Sequence, residues 1–187
     1  MRTLLAPAFF MLLALTVLTG VVYPAVVTGA AQLLFMVRAD GSLLDGGGSA
    51  LIGQEFTEPR HFWGRRSATA DTPYNAASST GSNQGPLHPD LHRAVSERIA
   101  ALRAADPGAA LPVPADLVTA SASGLDPHIS PEAARYQVPR VARARGMTEP
   151  AVQAIVDRHT EDRTLGVLGE PRVNVLLLNR DLDATAP

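Results

Sequence analysis

One long uncharged stretch near the N-terminus limits what this chain can fold into more than any other feature. No charged side chain lies between Arg2 and Arg38, a gap of 35 residues filled mostly by Leu, Val, Ala and Phe. An α-helix rises about 1.5 Å per residue, so about 20 apolar residues cross the hydrocarbon interior of a bilayer. The stretch therefore predicts a membrane-spanning helix over residues 4–27, followed by an exit segment over 28–37.

Two other interpretations of the same stretch stay open, namely a secretory signal peptide that is removed and a helix buried in a protein core. A signal peptide would have only Met1 and Arg2 as its n-region, and its apolar region would be about twice the usual 7–15 residues. Thr28-Gly29-Ala30 nevertheless resembles a small-residue cleavage site. We favour the uncleaved anchor because the uncharged run is long enough to span a membrane.

The sequence after Arg38 is mixed and polar, and it predicts one soluble domain of about 150 residues, an ordinary size for a single domain. The predicted organisation is a membrane anchor over 1–37 and a soluble domain over 38–187. Arg2 and the terminal amine flank one side of the anchor and Arg38 the other, so the positive-inside rule separates the two orientations only weakly. We favour a cytoplasmic N-terminus and an extracytoplasmic domain.

Small residues are spaced at helical intervals within the predicted anchor. Gly20, Pro24 and Thr28 recur every four residues and so share one helix face, with Ala25 and Gly29 beside them. Small side chains at this spacing allow a second membrane helix to approach closely. The pattern predicts a docking face for a partner helix, although membrane helices also tolerate Gly and Pro without such a role.

The composition excludes several kinds of chemistry. The chain has no cysteine and no lysine, so all 16 basic residues are arginines. A P-loop lysine, a Schiff base, a Ser–Lys dyad, a Cys–His protease site and a thiolate metal site are therefore excluded. A net charge of −2 argues against nucleic acid as a partner, because non-specific binding of nucleic acid requires a basic surface.

The soluble part alternates irregularly between helical and extended patterns. The predicted helices cover 89–106, 130–145 with a kink or split at Pro139, and 148–159. The predicted strands cover 49–54, 116–121 and 172–179. Residues 57–89 are rich in Pro, Gly, Ser, Thr and Asn and predict a long ordered loop. Helices and a few strands in mixed order indicate a small α+β domain.

Candidate catalytic groups occur in the sequence, but without the spacing that catalysis or metal binding needs. Two clusters combine histidine with carboxylate or hydroxyl groups: Asp157, His159, Glu161 and Asp162, and Asp126, His128 and Ser130. The first lacks a second histidine four residues away, and the groups of a catalytic triad come from separate elements. We therefore predict no catalytic residue and no metal site. A basic stretch predicts either a solvated helix face or a site for phosphate or acidic lipid: Arg135, Arg140, Arg143 and Arg145.

Four stretches carry distinctive strings of small and polar residues: 48–54 (GSALIGQ), 62–83 (with FWGRRSATA, PYN and GSN), 117–131 (with LVTASASGLD and ISP) and 171–179. In this order, and with an anchor at the N-terminal end, they resemble the C subunit of the Kdp-type, high-affinity potassium-transporting P-type ATPase. The resemblance covers nearly the whole chain.

This resemblance implies a non-catalytic accessory subunit, single-pass in the cell (inner) membrane, beside a potassium-channel-like subunit and an ATP-hydrolysing P-type subunit. It implies that the chain stabilises the assembly and acts as a catalytic chaperone that raises the ATP affinity of the ATPase subunit. The implied cofactors, ATP and potassium, belong to the complex, and none is bound stably by this chain. Membrane lipid is the remaining expected partner. A membrane-tethered extracytoplasmic ligand-binding module is the alternative, and a diverged hydrolase is a further one.

The resemblance also implies candidate surface residues. They are Gln54, Arg65, Ser67, Thr69, Tyr74, Asn75, Ser82, Asn83, Ser121, Ser123, Asp126 and His128. Nucleotide-contact candidates are Ser79, Gly81, Ser82 and Asn83. This chain departs from the family at two of its positions, because Thr80 stands where the family often has a second glycine and Arg66 where it often has proline.

Overall fold

A computed structural model of the chain describes residues 2–45, 47–109 and 111–185, with side chains from residue 4 onward. The chain divides into two compact units, Met1–Gly47 and Gly48–Pro187. The first contains one long apolar helix, and the second is a small domain of helices and a three-stranded antiparallel sheet. The predicted fold class, one N-terminal spanning helix followed by a small α+β domain, is confirmed.

The N-terminal unit is helical almost throughout. It consists of α1 (Arg2–Val17), a π-helical turn (Leu18–Val22) and α2 (Tyr23–Ala39). Leu4–Ala39 is long and apolar enough to cross a membrane, and none of its most apolar window is buried inside the protein. The helix therefore continues through the predicted exit segment to Ala39, with a kink at Phe35, whose φ of −143° and ψ of 39° are not helical.

Pro24 accounts for the π-helical turn. Proline has no N–H to donate to the carbonyl four residues earlier, which is that of Gly20, and its ring would clash with that carbonyl. The helix widens just before it, and the N–H of Tyr23 donates to the carbonyl of Leu18, five residues back. The hydroxyl of Thr19 also donates to the carbonyl of Leu15 at 2.7 Å, a bond that competes with regular helix bonding.

The soluble unit consists of short elements around one core. Its helices are α3 (Pro89–Ala105), α4 (Ala115–Val118), α5 (Pro131–Arg145), α6 (Glu149–Arg158) and α7 (Val175–Thr185), and its strands are β1 (His128–Ile129), β2 (Thr160–Glu161) and β3 (Arg172–Asn174). Antiparallel pairs place β3 between β1 and β2, with Ile129 and Thr160 both opposite Val173. The core lies where α5, α6 and α7 pack around this sheet.

Three predicted helices are confirmed, with their caps. Ser130 accepts the N–H of Ala133 at 3.0 Å at the start of α5, which ends at a left-handed Gly146. The split predicted as one alternative at Pro139 is absent, because α5 continues through this residue as one helix. Thr148 caps α6 in the same way, and the apolar face of α6 is buried. The third, α3, begins at Pro89, where the missing N–H costs nothing. The loop predicted over 57–89 is irregular except for a 3₁₀ turn, Ala76–Ser78.

Two of the three predicted strands are wrong because side-chain hydroxyl groups bond locally to the backbone. At 49–54 the chain turns, and the hydroxyl of Ser49 accepts the N–H of Leu51 at 3.1 Å. Within 116–121, residues 116–118 belong to α4, the Thr119 hydroxyl donates to the Ala115 carbonyl at 2.8 Å, and Ala120 pairs only with Arg66 in an isolated parallel bridge. Such bonds replace the ladder that a strand requires.

The third predicted strand, 172–179, is correct only as far as Asn174. The side-chain oxygen of Asn174 accepts the N–H of Leu177 at 3.1 Å, so this residue caps α7, which occupies the rest of the stretch. Its amide also donates to the Ala50 carbonyl at 2.8 Å. A short apolar run does not by itself distinguish a buried strand from a buried helix.

Candidate functional site

Two buried amide side chains hold the start of the long loop against the core. Asn179 accepts the N–H of Phe62 at 2.8 Å and donates to its carbonyl at 2.9 Å. Gln137 does the same for Trp63, at 2.8 and 3.1 Å. Each amide satisfies both backbone polar groups of its partner, as a neighbouring strand would. Phe62 is therefore fully buried although it lies outside any strand.

Two arginines of α5 reinforce the same loop. Arg140 donates to the carbonyls of Pro59 and His61 and lies 4.0 Å from the centroid of the Trp63 ring. Burial lowers the pKa of Arg140 to about 10, which leaves it charged at neutral pH. Arg145 donates to the Arg60 carbonyl at 2.7 Å, and its side chain is only 1% exposed. Neither of the two uses predicted for this basic stretch, a solvated face or an anion site, applies to these two arginines.

The motif surface, as we name it, is formed where residues 65–75 of the loop pack on the turn 121–128. Ser67 is its centre: its hydroxyl donates to the Gly124 carbonyl at 2.8 Å, contacts the Thr69 hydroxyl at 2.9 Å and accepts the Tyr74 N–H at 2.9 Å. The Tyr74 hydroxyl donates to the Arg65 carbonyl. Burial, and then the nearby carboxylates, raise the pKa of Tyr74 to about 12, so the phenol stays protonated.

Asp126 joins the two halves of the motif surface. Its carboxylate accepts a bond from Arg65 at 3.1 Å and the backbone N–H of His128 at 3.0 Å. Burial acts to raise the pKa of Asp126, but the hydrogen bonds from His128 and Arg65 outweigh it and lower the pKa. Asp126 is therefore ionised in the folded protein and paired with Arg65.

Glycine is required at two close contacts in the motif surface. A Cβ added to Gly53 would lie 2.8 Å from the Asp126 carbonyl oxygen and against the Tyr74 ring. Gly124 has a φ of +70°, a left-handed conformation, and a Cβ there would lie 2.7 Å from the Thr80 carbonyl oxygen. The backbone of Gly53 can approach that of Asp126, and the backbone of Gly124 that of Thr80, only because the two glycines have no side chain.

A groove beside the motif surface, here called the arginine groove, lies between the loop and α3. Its volume is about 600 Å³. The lining includes Glu55, Trp63, Arg65, Arg66, Tyr74, Glu97 and Arg98. Sequence reasoning missed Arg66 and Arg98 as site residues and placed Arg98 away from the apolar face of its helix. Arg98 is in fact half-buried and donates to the Val118 carbonyl at 2.7 Å. Its position four residues before Leu102, on the same face of α3, was the sequence feature that could have indicated this burial.

Comparison with known proteins identifies the family. Residues 5–184 match the family described as K+-transporting ATPase, c chain. The chain belongs to the KdpC family. A protein of Herpetosiphon aurantiacus is 60% identical over 187 residues, which cover 98% of this chain and 97% of that protein. A protein of Dechloromonas aromatica is 61% identical over 190 residues and the full length of both. Both are named potassium-transporting ATPase KdpC subunit.

The structure brings most of the surface residues expected of a KdpC chain together, and many of them bond within the domain. The prediction is wrong for Ser121, which is buried because its hydroxyl is turned toward the backbone of the 121–124 turn. Ser121 accepts the Gly124 N–H at 2.9 Å, Ser123 accepts the Leu125 N–H at 3.1 Å, and Asn75 caps the 3₁₀ turn. These bonds fix the shape of the motif surface. The nucleotide-contact candidates lie elsewhere than the arginine groove. Ser79 donates to the Ser123 carbonyl at 3.0 Å, Gly81 packs on Ala122, and Ser82 and Asn83 are exposed.

The predicted docking face of the anchor is open within its own unit. A Cβ added to Gly20 or Gly29 would meet no atom within 4 Å in the described residues. Pro24, Ala25 and Thr28 are exposed as well. The assignment of these five residues to partner-helix packing stays a prediction.

Proposed function

We propose that this chain is a non-catalytic accessory subunit of an ATP-driven, high-affinity potassium uptake complex. The observation that carries the proposal is the match over nearly the full chain to subunits of a potassium-transporting ATPase. The composition supports it, because the chain has no lysine for a P-loop. Its partners are a potassium-channel-like subunit and an ATP-hydrolysing P-type subunit.

In this role the chain acts through contacts. It stabilises the assembly and, as a catalytic chaperone, raises the ATP affinity of the ATPase subunit, while ATP and potassium bind elsewhere in the complex. The support is that many hydroxyl and amide groups of the motif surface are already bonded within the domain, which makes that surface rigid. We give structural support and control of ion entry more weight than direct contact with ATP.

The chain spans the cell (inner) membrane once, with its N-terminus in the cytoplasm and its domain outside. Because it has no cysteine, a single introduced cysteine is a unique label. Ser96→Cys, at an exposed position of α3, should react with a membrane-impermeant maleimide in intact cells, and Thr3→Cys should react only after the cells are permeabilised. The opposite pattern would place the domain in the cytoplasm.

The first test of the accessory role is co-purification. The chain is tagged at its C-terminus, extracted in mild detergent, and its stoichiometric partners are identified by mass spectrometry. We expect a potassium-channel-like subunit and a P-type ATPase. Recovery of the chain alone, in a stable monodisperse form, would contradict the accessory role.

The arginine groove supports a second candidate, a membrane-tethered extracytoplasmic module that binds a ligand. Its volume of about 600 Å³ lies within the range of small-molecule sites. Such a module would keep its activity when the helix face around Gly20 is enlarged, whereas a subunit should lose assembly.

A further inference from the structure

The arginine groove contains two guanidinium groups that no carboxylate of the described residues pairs with. Arg65 forms a salt bridge with Asp126 at 3.1 Å, but neither Arg66 nor Arg98 forms one in the described part of the chain. Burial, and then the positive charge of Arg66, lower the pKa of Arg98, and the charge of Glu97 only partly offsets them. The two like charges therefore act on one another, and an anion between them would relieve the repulsion.

Both arginines are positioned by the same short segment. The Arg66 carbonyl accepts the N–H of Ser121 at 3.1 Å, and its backbone forms a parallel bridge with Ala120. The Arg98 guanidinium donates to the Val118 carbonyl at 2.7 Å. Residues 118–121 therefore hold the guanidinium of Arg98 and the backbone of Arg66 in place, which lowers the ordering cost of binding at Arg98.

The size and charge of the groove favour a polypeptide over a free anion. A volume of about 600 Å³ far exceeds that of a small inorganic ion. Glu55 and Glu97 also line the groove, so they balance the two arginines once Arg65 is neutralised by Asp126, and a polyanion gains little there. Trp63 and Tyr74 add aromatic surface of the kind that protein interfaces use.

We propose that the arginine groove is the docking site for a segment of another subunit of the same complex that carries an Asp or Glu residue, whose single carboxylate bridges Arg66 and Arg98. Guanidinium groups bind carboxylates through strong, directional hydrogen bonds. The inference rests on the proposed accessory role, which requires a surface through which this chain contacts its partners. It extends that role to Arg98, which the sequence did not single out, and to Arg66, which the sequence marked only as a departure from the family.

Photocrosslinking in the intact, detergent-extracted complex tests the proposal. Glu97, exposed at the edge of the groove, is replaced by p-benzoylphenylalanine, and Arg103 is replaced in the same way as a control on the same helix outside the groove. We expect the probe at 97 to capture an Asp- or Glu-containing peptide of another subunit, with a lower yield at 103. Adding Arg66→Glu should reduce the yield at 97 about tenfold, and Arg103→Glu should not.

The outcomes separate this inference from the accessory role. A chain that still co-purifies with its partners, but gives no more crosslink at 97 than at 103, overturns the docking site alone. So does capture of a segment without acidic residues, or a yield that Arg66→Glu leaves unchanged. A chain that does not co-purify overturns both proposals. The side chain of Arg66 is exposed, so we expect its replacement to leave the thermal unfolding midpoint unchanged.

Discussion

At the scale of single residues, buried polar side chains bond to the backbone N–H and C=O groups that a neighbouring strand would otherwise pair with. Asn179 and Gln137 each bond to both backbone polar groups of one loop residue, and Arg140 and Arg145 bond to carbonyls beside them. The sequence does not indicate these bonds, because a single Asn or Gln in a helical pattern is usually interpreted as an exposed residue. The partners of these groups are more than 70 residues away in the chain, so no local pattern can indicate them.

Replacing Asn179 tests how much this support is worth. Asn179→Leu keeps a side chain of similar size but leaves the N–H and the carbonyl of Phe62 buried without partners. We expect a loss of about 2–4 kcal/mol in the free energy of unfolding, since each unsatisfied group costs about 1–3 kcal/mol. Urea unfolding of the full chain in detergent, followed by the fluorescence of its single tryptophan, measures the change. The control Gln153→Leu removes only an exposed bond and should cost less than about 0.5 kcal/mol.

Asp126 predicts a dependence of stability on acid pH. Its folded pKa is lowered, so its contribution to stability is complete above the unfolded value of about 3.9 and is lost as the pH falls through the folded pKa. Unfolding of the parent chain and of Asp126→Asn should differ most at pH 5 and converge toward pH 3. If the difference in unfolding free energy between the two chains stays the same from pH 5 to pH 3, the acid dependence of stability does not come from Asp126.

At the scale of elements, the sequence predicts the three capped helices α3, α5 and α6, but it mistakes α4 and most of α7 for strands. Capping residues such as Ser130 and Thr148, together with apolar residues at helical spacing, predict where these helices begin. The strands are only two or three residues long, too short to show alternation, and β3 passes directly into α7 at Asn174. Their register depends on contacts from distant parts of the chain, which a single sequence does not reveal.

We predict that enlarging a small residue on the docking face of the long apolar helix impairs assembly of the complex. Gly20→Leu fills the open space next to Gly20 in the π-helical turn and should keep a partner helix from approaching. Leucine is a stronger helix former than glycine, so a loss of assembly would not come from unfolding of the helix. We expect about a tenfold decrease in the amount of this chain that co-purifies with its partners. Ala14→Leu, six residues earlier on a different side of the helix, should assemble normally.

At the scale of the whole molecule, the resemblance of the four motif stretches predicted the family, and the uncharged stretch predicted the order of anchor and domain. The arginine groove could not be predicted, because it forms only when the loop around Arg66 folds back against α3. Arg66 and Arg98 lie 32 positions apart in a sequence whose other charges give no reason to connect them.

The proposed effect on ATP affinity has a consequence that is measurable on this chain itself. If the subunit raises the affinity of the ATPase subunit for ATP by some factor, linkage requires that ATP raise the affinity of the complex for this subunit by the same factor. A non-hydrolysable ATP analogue should therefore slow dissociation of the tagged chain from the complex. The same analogue should leave the thermal midpoint of the isolated chain unchanged, because ATP is proposed to bind elsewhere in the complex. Direct binding would be easy to detect, since a ligand at a hundred times its dissociation constant stabilises the folded chain by about 2.7 kcal/mol. A raised midpoint for the isolated chain would mean direct binding of ATP, and an unchanged dissociation rate would contradict the chaperone role.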